Sequence, residues 1–472
     1  MKLVHTLLGA AVAASPHAGA ATITVTNLND AGAGSLRAAV EQANAASGGD
    51  IIQFQAGLTG TISLASEIRI SDTLEIAGPG AGRIIIDGAG ATRLFKVQHA
   101  GGNPATATFS GLTLAHGHAD EGGAIWSNGD PVVVRGCILS DNLADARGGA
   151  VFVANANLSI DASGLWGNET GGTGGAILFS AGDVTITRSR IEDNSSQFGG
   201  GMSALSPRVN VYISDTTFRN NSAEHTGGGL WASTVTQMKI SRSAFVSNVT
   251  GQPNGGGIYF AAVTDLGSPV NVIENTTFSG NESLHQNGRG SALAVASGNM
   301  TVRNSTFAFN RTAPELSPGP DAGGALWVGG DSTTQVTLQS TLFAGNTHGN
   351  AGALVDVIRQ NGGTESMLSA TNSAFQTQPD VTTLNGTVSA VMFDTDPELE
   401  PLDETRLTPV HPLSGTSPVL DHGSNPGNLE TDQRGPGFPR SAASTEGGPA
   451  ATDIGAYEYR VDRIFFGDFE QH

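Results

Sequence analysis

A single cysteine, Cys137, stands among 472 residues, so no internal disulfide can form and packing with backbone hydrogen bonds must hold the fold. Lysine is almost as scarce, with only Lys2, Lys96 and Lys239. Lys and Arg together number 23 against 43 Asp and Glu, a net charge of −20. That balance leaves no basic stripe to displace counterions from a nucleic acid or to adhere to an anionic membrane. Charged residues of both signs make up 14%, too few for a disordered chain or a coiled coil. Aromatic residues are 6%, with four Trp and four Tyr. No later run of 18 apolar residues offers a membrane-spanning helix.

Glycine is what the chain has in excess: 65 residues, about twice the usual share, without the every-third-position rule of collagen. This composition points to a turn-rich β protein with a large interior. At the N-terminus, Lys2 and His5 precede the apolar run Leu7–Ala14, and Ala18-Gly19-Ala20 forms an A-x-A cleavage pattern. Residues 1–20 therefore read as a secretory leader, and the mature chain as exported without a helical anchor.

Internal repetition organises the rest. Gly-Gly pairs begin at Gly122, Gly148, Gly174 and Gly200, a spacing of 26, and recur at Gly228, Gly256 and Gly323, with degenerate copies at Gly290-Ser291 and Ala351-Gly352. A second column is Asn142, Asn168, Asn194, Asn221, Asn248, Asn281, Asn310 and Asn346, each three residues after Leu, Ile or Phe. A Ser, Thr or Cys stands two residues before that apolar position, and period-two pairs such as Val184 and Ile186 lie upstream. Alternation of this kind is strand patterning. Three short strands per repeat, with insertions confined to turns, describe an all-β, single-stranded, right-handed parallel β-helix of three strands per coil. The asparagines are expected to form a ladder of amides hydrogen-bonded along the stack.

The paired Gly-Gly-Ala-Ile and Phe-x-x-Asn motifs over about residues 120–355 resemble the repeats of chlamydial polymorphic outer-membrane proteins and related bacterial β-helices. Near the mature N-terminus, Thr26–Asn44 is similar to the CSLREA motif of secreted bacterial β-helix proteins, with Gly34 in place of Cys and Ala38 in place of Glu. Ser417–Asp421, Asp432-Gln433-Arg434-Gly435 and Asp453–Glu458 resemble the choice-of-anchor Q ending. Arg463–Glu470 is similar to a C-terminal sorting tail of Gram-negative bacteria, with Gly467-Asp468 where Asp-Gly is usual. These resemblances imply an extracellular or outer-membrane location in a Gram-negative bacterium. They divide the chain into a leader (1–20), an N-terminal cap with first coils (21–120), the repeat solenoid (121–378), a C-terminal coil with Pro-rich anchor-type segment (379–460) and the tail (461–472). Leu36, Ala39, Val40 and Ala43 recur at helical spacing behind Ser35, so a short capping helix is expected over the open edge of the first coil. Arg37 and Glu41 stand four apart on it. The stretch 397–449 holds 9 of the 20 prolines and reads as an irregular wrap or linker.

Chemistry-bearing residues are sparse. Asp141 and Asp193, with Glu192 adjacent, precede ladder asparagines two coils apart, and Gly167 occupies the coil between them. At about 10 Å this is wide for a carboxylate pair, and solvated turns account for it. His116, His118 and Asp120 have a spacing that could hold Zn²⁺ or Cu²⁺, against the plain alternative of a polar loop. Trp126, Trp231 and Trp327 follow Gly-Gly at comparable positions and either line a carbohydrate-contacting face or pack inward. Cys137 lies in the Ser/Thr column and reads as a small buried thiol. The sequons at Asn168, Asn194 and Asn248 follow from the coil pattern. No catalytic residue and no cofactor is assigned. The reading is a non-catalytic extracellular or cell-surface β-helix, an adhesin or interaction surface for a glycan or protein on a host or cell surface. The alternative is a carbohydrate-active β-helix enzyme, a polysaccharide lyase or hydrolase.

Overall fold

The computed structural model describes residues 20–461 except 47, 100, 102–103, 264–270, 286, 314–322, 330–333, 350–352, 361–365, 380–382 and 446–447. The expected leader up to Gly19, the Ala351-Gly352 copy and the tail beyond Val461 therefore lie outside the described residues. Short strands stack into four sheets along the axis of a solenoid. A 14-stranded sheet extends from Thr22–Val25 to Val388–Ser389, and a 12-stranded sheet from Gly60–Ser63 to Ala374–Phe375. An 11-stranded sheet extends from Ile68–Ile70 to Val357–Arg359, and a 10-stranded sheet from His118–Glu121 to Ala353–Leu354. Neighbouring strands are parallel except where Thr347–His348 meets Ala353–Leu354. Thirteen interstrand steps of about 4.8 Å make the longest sheet roughly 60 Å.

The chain forms the expected all-β parallel solenoid, and it refines the count of strands per coil. The early coils have three, as in Asp50–Phe54, Gly60–Ser63 and Ile68–Ile70. From Ala107 onward a fourth segment joins them just after the ladder position, for example Leu143–Arg147 or the two-residue Glu169–Thr170. Such short segments carry no alternation that periodicity could reveal.

Corners are made by residues that tolerate the left-handed region. Asp141, Gly167, Asp193, Asn220, Ser247, Gly280, Phe309 and Gly345 precede successive ladder asparagines with φ between 53° and 64°. At the Gly-Gly corner the requirement is stricter. A Cβ on Gly148 (φ 61°) would stand 2.3 Å from the Val151 carbonyl oxygen, and one on Gly149 2.1 Å from that of Gly175. The spacing of 26 would place Gly200 next in this column after Gly174. Gly199 takes the place instead, with φ 64°, accepting the frame shift that the run Gly199-Gly200-Gly201 allows.

Three columns fill the interior. Phe218, Phe245, Phe278, Phe307, Phe343 and Phe375 stack with ring centroids 4.6 to 5.3 Å apart and planes within 13°. The interstrand spacing thus sets an offset stack of aromatic rings. In the hydroxyl column, Ser163 Oγ accepts from the Cys137 N–H at 3.1 Å and donates to the Asp161 carbonyl at 2.8 Å, a pattern repeated at Ser189 and Thr216. The asparagines form the third column. From Asn142 to Asn310, each Nδ2 donates to the Oδ1 of the next asparagine at 2.9 to 3.0 Å. The same Oδ1 accepts the previous asparagine's backbone N–H, and the second Nδ2 proton goes to a carbonyl such as Leu139 or Phe218. All eight asparagines are at most 1% exposed. The column opens at the Gly117 N–H and closes on the buried carboxylate of Asp356, which accepts from Asn346 Nδ2 at 3.0 Å.

The helix Leu36–Ala45 packs at the N-terminal end with Leu36, Ala39, Val40 and Ala43 buried, and the Ser35 Oγ accepts from the Ala38 N–H. Arg37 does not turn to Glu41. It pairs with Asp30 at 2.7 Å and donates to the carbonyls of Ser66 and Glu67, which ties the helix to the following coil. At the other end, the described residues of 397–461 run as an irregular strap along the outer face of the 12-stranded sheet. Thr217 Oγ1 donates to the Leu407 carbonyl, Thr277 Oγ1 to Gln433 Oε1, and the Gly455 N–H to the Ser340 carbonyl. Leu342 points outward from its strand and is nevertheless 1% exposed beneath this strap.

Replacing Asn221 by Leu removes the acceptor of two donors on Asn194 and the donors to Asn248 and Ile191. The variant should lose about 1–3 kcal/mol of stability. A chemical denaturation midpoint equal to that of the parent protein would show that the ladder carries no net stabilisation.

Candidate interaction surface

The histidine loop does not form one ligand set. His116 occupies a left-handed corner (φ 50°) and Gly117 takes the place of a ladder residue after it. The two imidazoles consequently turn to different coils: His116 Nδ1 lies 3.2 Å from Asp87 Oδ2, and His118 Nε2 lies 3.0 Å from Asp145 Oδ1. The hydrogen bond that the imidazole donates to the Asp145 carboxylate raises the His118 pKa. Asp120 joins neither pair. Among the described residues no three His, Cys, Asp or Glu side chains converge as metal ligands. Two separate His–carboxylate pairs therefore stand at the spacing that could hold a metal, as in the polar-loop alternative.

Trp126, Trp231 and Trp327 do share one column, on the outward side of the 11-stranded sheet, in register through Phe152, Leu178, Ser203, Tyr259 and Ala294. The protein's own side chains already cover their rings. Trp126 is stacked with Phe152 (11° between planes), has the Lys96 ammonium 4.8 Å from its centroid, and donates its Nε1–H to Glu121 at 3.0 Å. Trp231 stacks on Phe198 at 4.7 Å, and Trp327 is 5% exposed with the Arg289 guanidinium 5.3 Å from its centroid. This corner between the 11- and 10-stranded sheets is thus a second, minor core outside the main one. An open hollow of about 470 Å³ beside Trp126 is lined by Arg93, Lys96, Glu121 and Arg147.

The fourth tryptophan, which the Gly-Gly columns did not single out, behaves differently. Trp166 lies on the outer face of the 12-stranded sheet, half-buried, and its benzo ring fills the space in which a Cβ of Gly164 would stand, 2.2 Å from Cζ3. The signal was local: glycine two residues before Trp, on the same face of one strand. Asp141 and Asp193 flank that strand's corner and both are exposed. Cys137 is 1% exposed, and burial pushes its thiol up to about 11, leaving it unreactive. The sequon residues Asn168, Asn194 and Asn248 are all at most 1% exposed within the ladder.

The three C-terminal motifs come together as one buried ionic cluster that fastens the strap. Asp432 Oδ2 accepts from Arg434 Nε at 2.8 Å and from the Glu458 N–H at 2.9 Å. Asp453 accepts the N–H groups of Asp421 (2.8 Å) and Tyr459 (2.6 Å). Arg434 lies 3.8 Å from the centroid of Tyr457. At the centre Arg440, fully buried, pairs with Glu458 at 2.9 Å and donates to the Gly455 and Asp453 carbonyls. Arg440 belongs to no motif, and nothing in its sequence neighbourhood marks it. His411, 3% exposed, bridges the Glu400 carbonyl and Ser279 Oγ, and burial lowers its pKa. A cleft of about 910 Å³ opens between strap and solenoid, lined by Arg188, Arg242, Arg406 and Arg434. Each of these arginines already has its own carboxylate: Asp161, Asp215, Asp403 and Asp432 in turn.

The family model described as right handed beta helix region matches residues 98–245 and 149–347, together more than half of the chain. The chain is 28% identical over 256 residues to the probable autotransporter YfaL of Escherichia coli (strain K12), 48% of this chain and 19% of that protein. It is 28% identical over 162 residues to the metabotropic glutamate receptor-like protein R of Dictyostelium discoideum, 34% of this chain and 10% of that one. The chain thus spans less than a fifth of the length of either relative. Among the described residues no helix is long and apolar enough to cross a membrane.

The ionic cluster makes stability depend on pH. Burial, with Asp453 beside it, pushes the Glu458 carboxyl up to about 8, while Arg440 opposes the rise. Between about 4.5 and about 8 the folded chain therefore holds a proton that the unfolded chain has lost. Stability from this group should fall as pH rises through that window. Comparing denaturation midpoints of the parent and Glu458→Gln across it should give a flatter profile for the variant; parallel profiles would remove Glu458 as the cause.

Proposed function

We propose that this chain, which belongs to the right-handed β-helix family, is a non-catalytic interaction protein displayed at the cell surface or released outside the cell, an adhesin in the broad sense. The observation that carries this reading is how the outer faces use their charge. Several carboxylates pair from coil to coil instead of converging: Asp161 with Arg188, Asp215 with Arg242, Glu274 with Arg303, Glu121 with Arg147. General acid–base work on a glycosidic bond needs two carboxyl groups facing one substrate site, and these groups are spent on neighbouring coils. What the solenoid offers is a stiff rod of repeated outward side chains at fixed spacing. The names of the two distant relatives, an autotransporter and a receptor-like protein, favour a surface setting. In this reading residues 1–20 direct export, the strap closes an anchor-type segment over 379–460, and the tail 461–472 serves sorting.

Two measurements test it. Expressed from its own leader in a Gram-negative host, the chain should be recovered outside the cytoplasm, and cytoplasmic retention would overturn the reading. Incubated with acidic and neutral polysaccharides, the purified protein should release no product. Clear product release would instead make it a polysaccharide lyase or hydrolase.

A further inference from the structure

We propose that the shelf around Trp166 is a binding subsite for a neutral oligosaccharide, a hexose or N-acetylhexosamine chain. Trp166 lies flat on its strand because Gly164 has no side chain to lift it. Among the described residues no aromatic ring or cation stacks on its outer face, in contrast to Trp126, Trp231 and Trp327. Its Nε1–H likewise donates to no described protein group. An indole face presented this way is a platform for the apolar C–H face of a pyranose ring.

The groups around the ring suit the hydroxyl edges of such a sugar. In register on the two adjacent coils stand Ser140 and Glu192, with Arg190 beside Glu192 and 46% exposed in its side chain. Asp141 leans over the corner next to Trp166, where a Cβ on Gly167 would stand 2.7 Å from its Oδ1. Asp193 holds the equivalent corner two coils further on. Both carboxylates are exposed and neither has a hydrogen-bond partner among the described side chains. Their corners are two interstrand steps apart, about 10 Å, and the Asp141 carboxylate leans over the Gly167 corner between them, so both present acceptors for sugar hydroxyls along one row of corners beside the ring. Two solvated carboxylates with no partner among the described side chains thus stand ready as hydrogen-bond acceptors.

Charge decides between sugar classes. Around the ring stand Asp141, Asp193 and Glu192 against Arg190, and the whole chain carries −20. A uronate polymer would be repelled, whereas a neutral sugar finds planar acceptors for its hydroxyl donors. A quaternary ammonium ligand would call for several rings enclosing it, and here a single ring lies open. The strap leaves the shelf uncovered. Its first fastenings on this sheet, at Thr217 and Arg219, lie two coils beyond Trp166.

This inference rests on the reading of the chain as an interaction surface and names the partner of one face. Calorimetry on the full chain with hexasaccharides of glucose, of N-acetylglucosamine and of galacturonate tests it. At least one neutral hexasaccharide should bind, and the galacturonate should not. Trp166→Ala should weaken binding about tenfold or more, the loss expected for one stacking contact with its attendant hydrogen bonds. Trp166→Phe should retain most of the affinity, and Trp231→Ala all of it. Unchanged binding by Trp166→Ala, preference for the galacturonate, or no neutral binding up to about 10 mM would overturn the proposal. Those outcomes leave the interaction-surface reading standing, whereas product release in the polysaccharide assay ends that reading instead.

Discussion

The structure depends on one constraint: each coil must repeat its backbone about 4.8 Å above the last, at a corner buried from water. The asparagine column meets it. From Asn168 to Asn346 each amide uses both protons and both lone pairs, and Asn142 at the start accepts from the Gly117 N–H, so the eight side chains point the same way and their dipoles align. That direction explains the residue at the end. The N–H end of the column meets the Asp356 carboxylate, whose other oxygen accepts from the Thr377 N–H and hydroxyl. Burial pushes the Asp356 carboxyl upward, and the donors around it oppose that shift. A column of donors that ended in an apolar side chain would leave Asn346 with an unpaired proton in the interior, which costs more than a typical hydrogen bond gains.

A fixed ladder on the inside frees the outside to vary. The hydroxyl column and the phenylalanine stack share its spacing, so coils of different length add without disturbing the core. The coil lengths show this: successive ladder asparagines are 26, 27 and, across the longer turns, 33 and 36 residues apart. Variation then falls on the corners and outer faces. There the solenoid ties neighbouring coils with carboxylate–arginine pairs, covers one aromatic column with its own side chains, and leaves Trp166 half-buried with no ring or cation stacked on it among the described residues.

The strap is a different kind of structure. It has no repeat, and its contacts with the solenoid join residues such as Thr217 and Leu407, 190 apart, or Asn275 and Arg440, 165 apart. Its buried ions act together. Arg440 pairs with Glu458 and Arg434 with Asp432, Asp453 accepts the backbone N–H groups of Asp421 and Tyr459, and removal of one member of a pair would strand the other away from water. The strap also hides the outward residues of the later coils, so the exposed area of the 12-stranded sheet narrows to its N-terminal part, where the Trp166 shelf lies.

Whatever recurs was legible in the amino-acid sequence. The ladder, the hydroxyl column, the Gly-Gly corners and the buried face of Leu36–Ala45 can all be named from spacing alone, because a stacked array brings equivalent sequence positions into contact. What occurs once was not. The short fourth segment has no alternation to detect, and the step to Gly199 comes from a glycine run that allows two frames. The end of the ladder at Asp356, the centre of the ionic cluster at Arg440 and the turning apart of His116 and His118 depend on residues far away in sequence. Whether an outward tryptophan is stacked on by a ring or cation depends on the same long-range packing. Periodicity determined the rod; only the tertiary structure decided which parts of its surface remain available, since that depends on contacts that no repeat encodes.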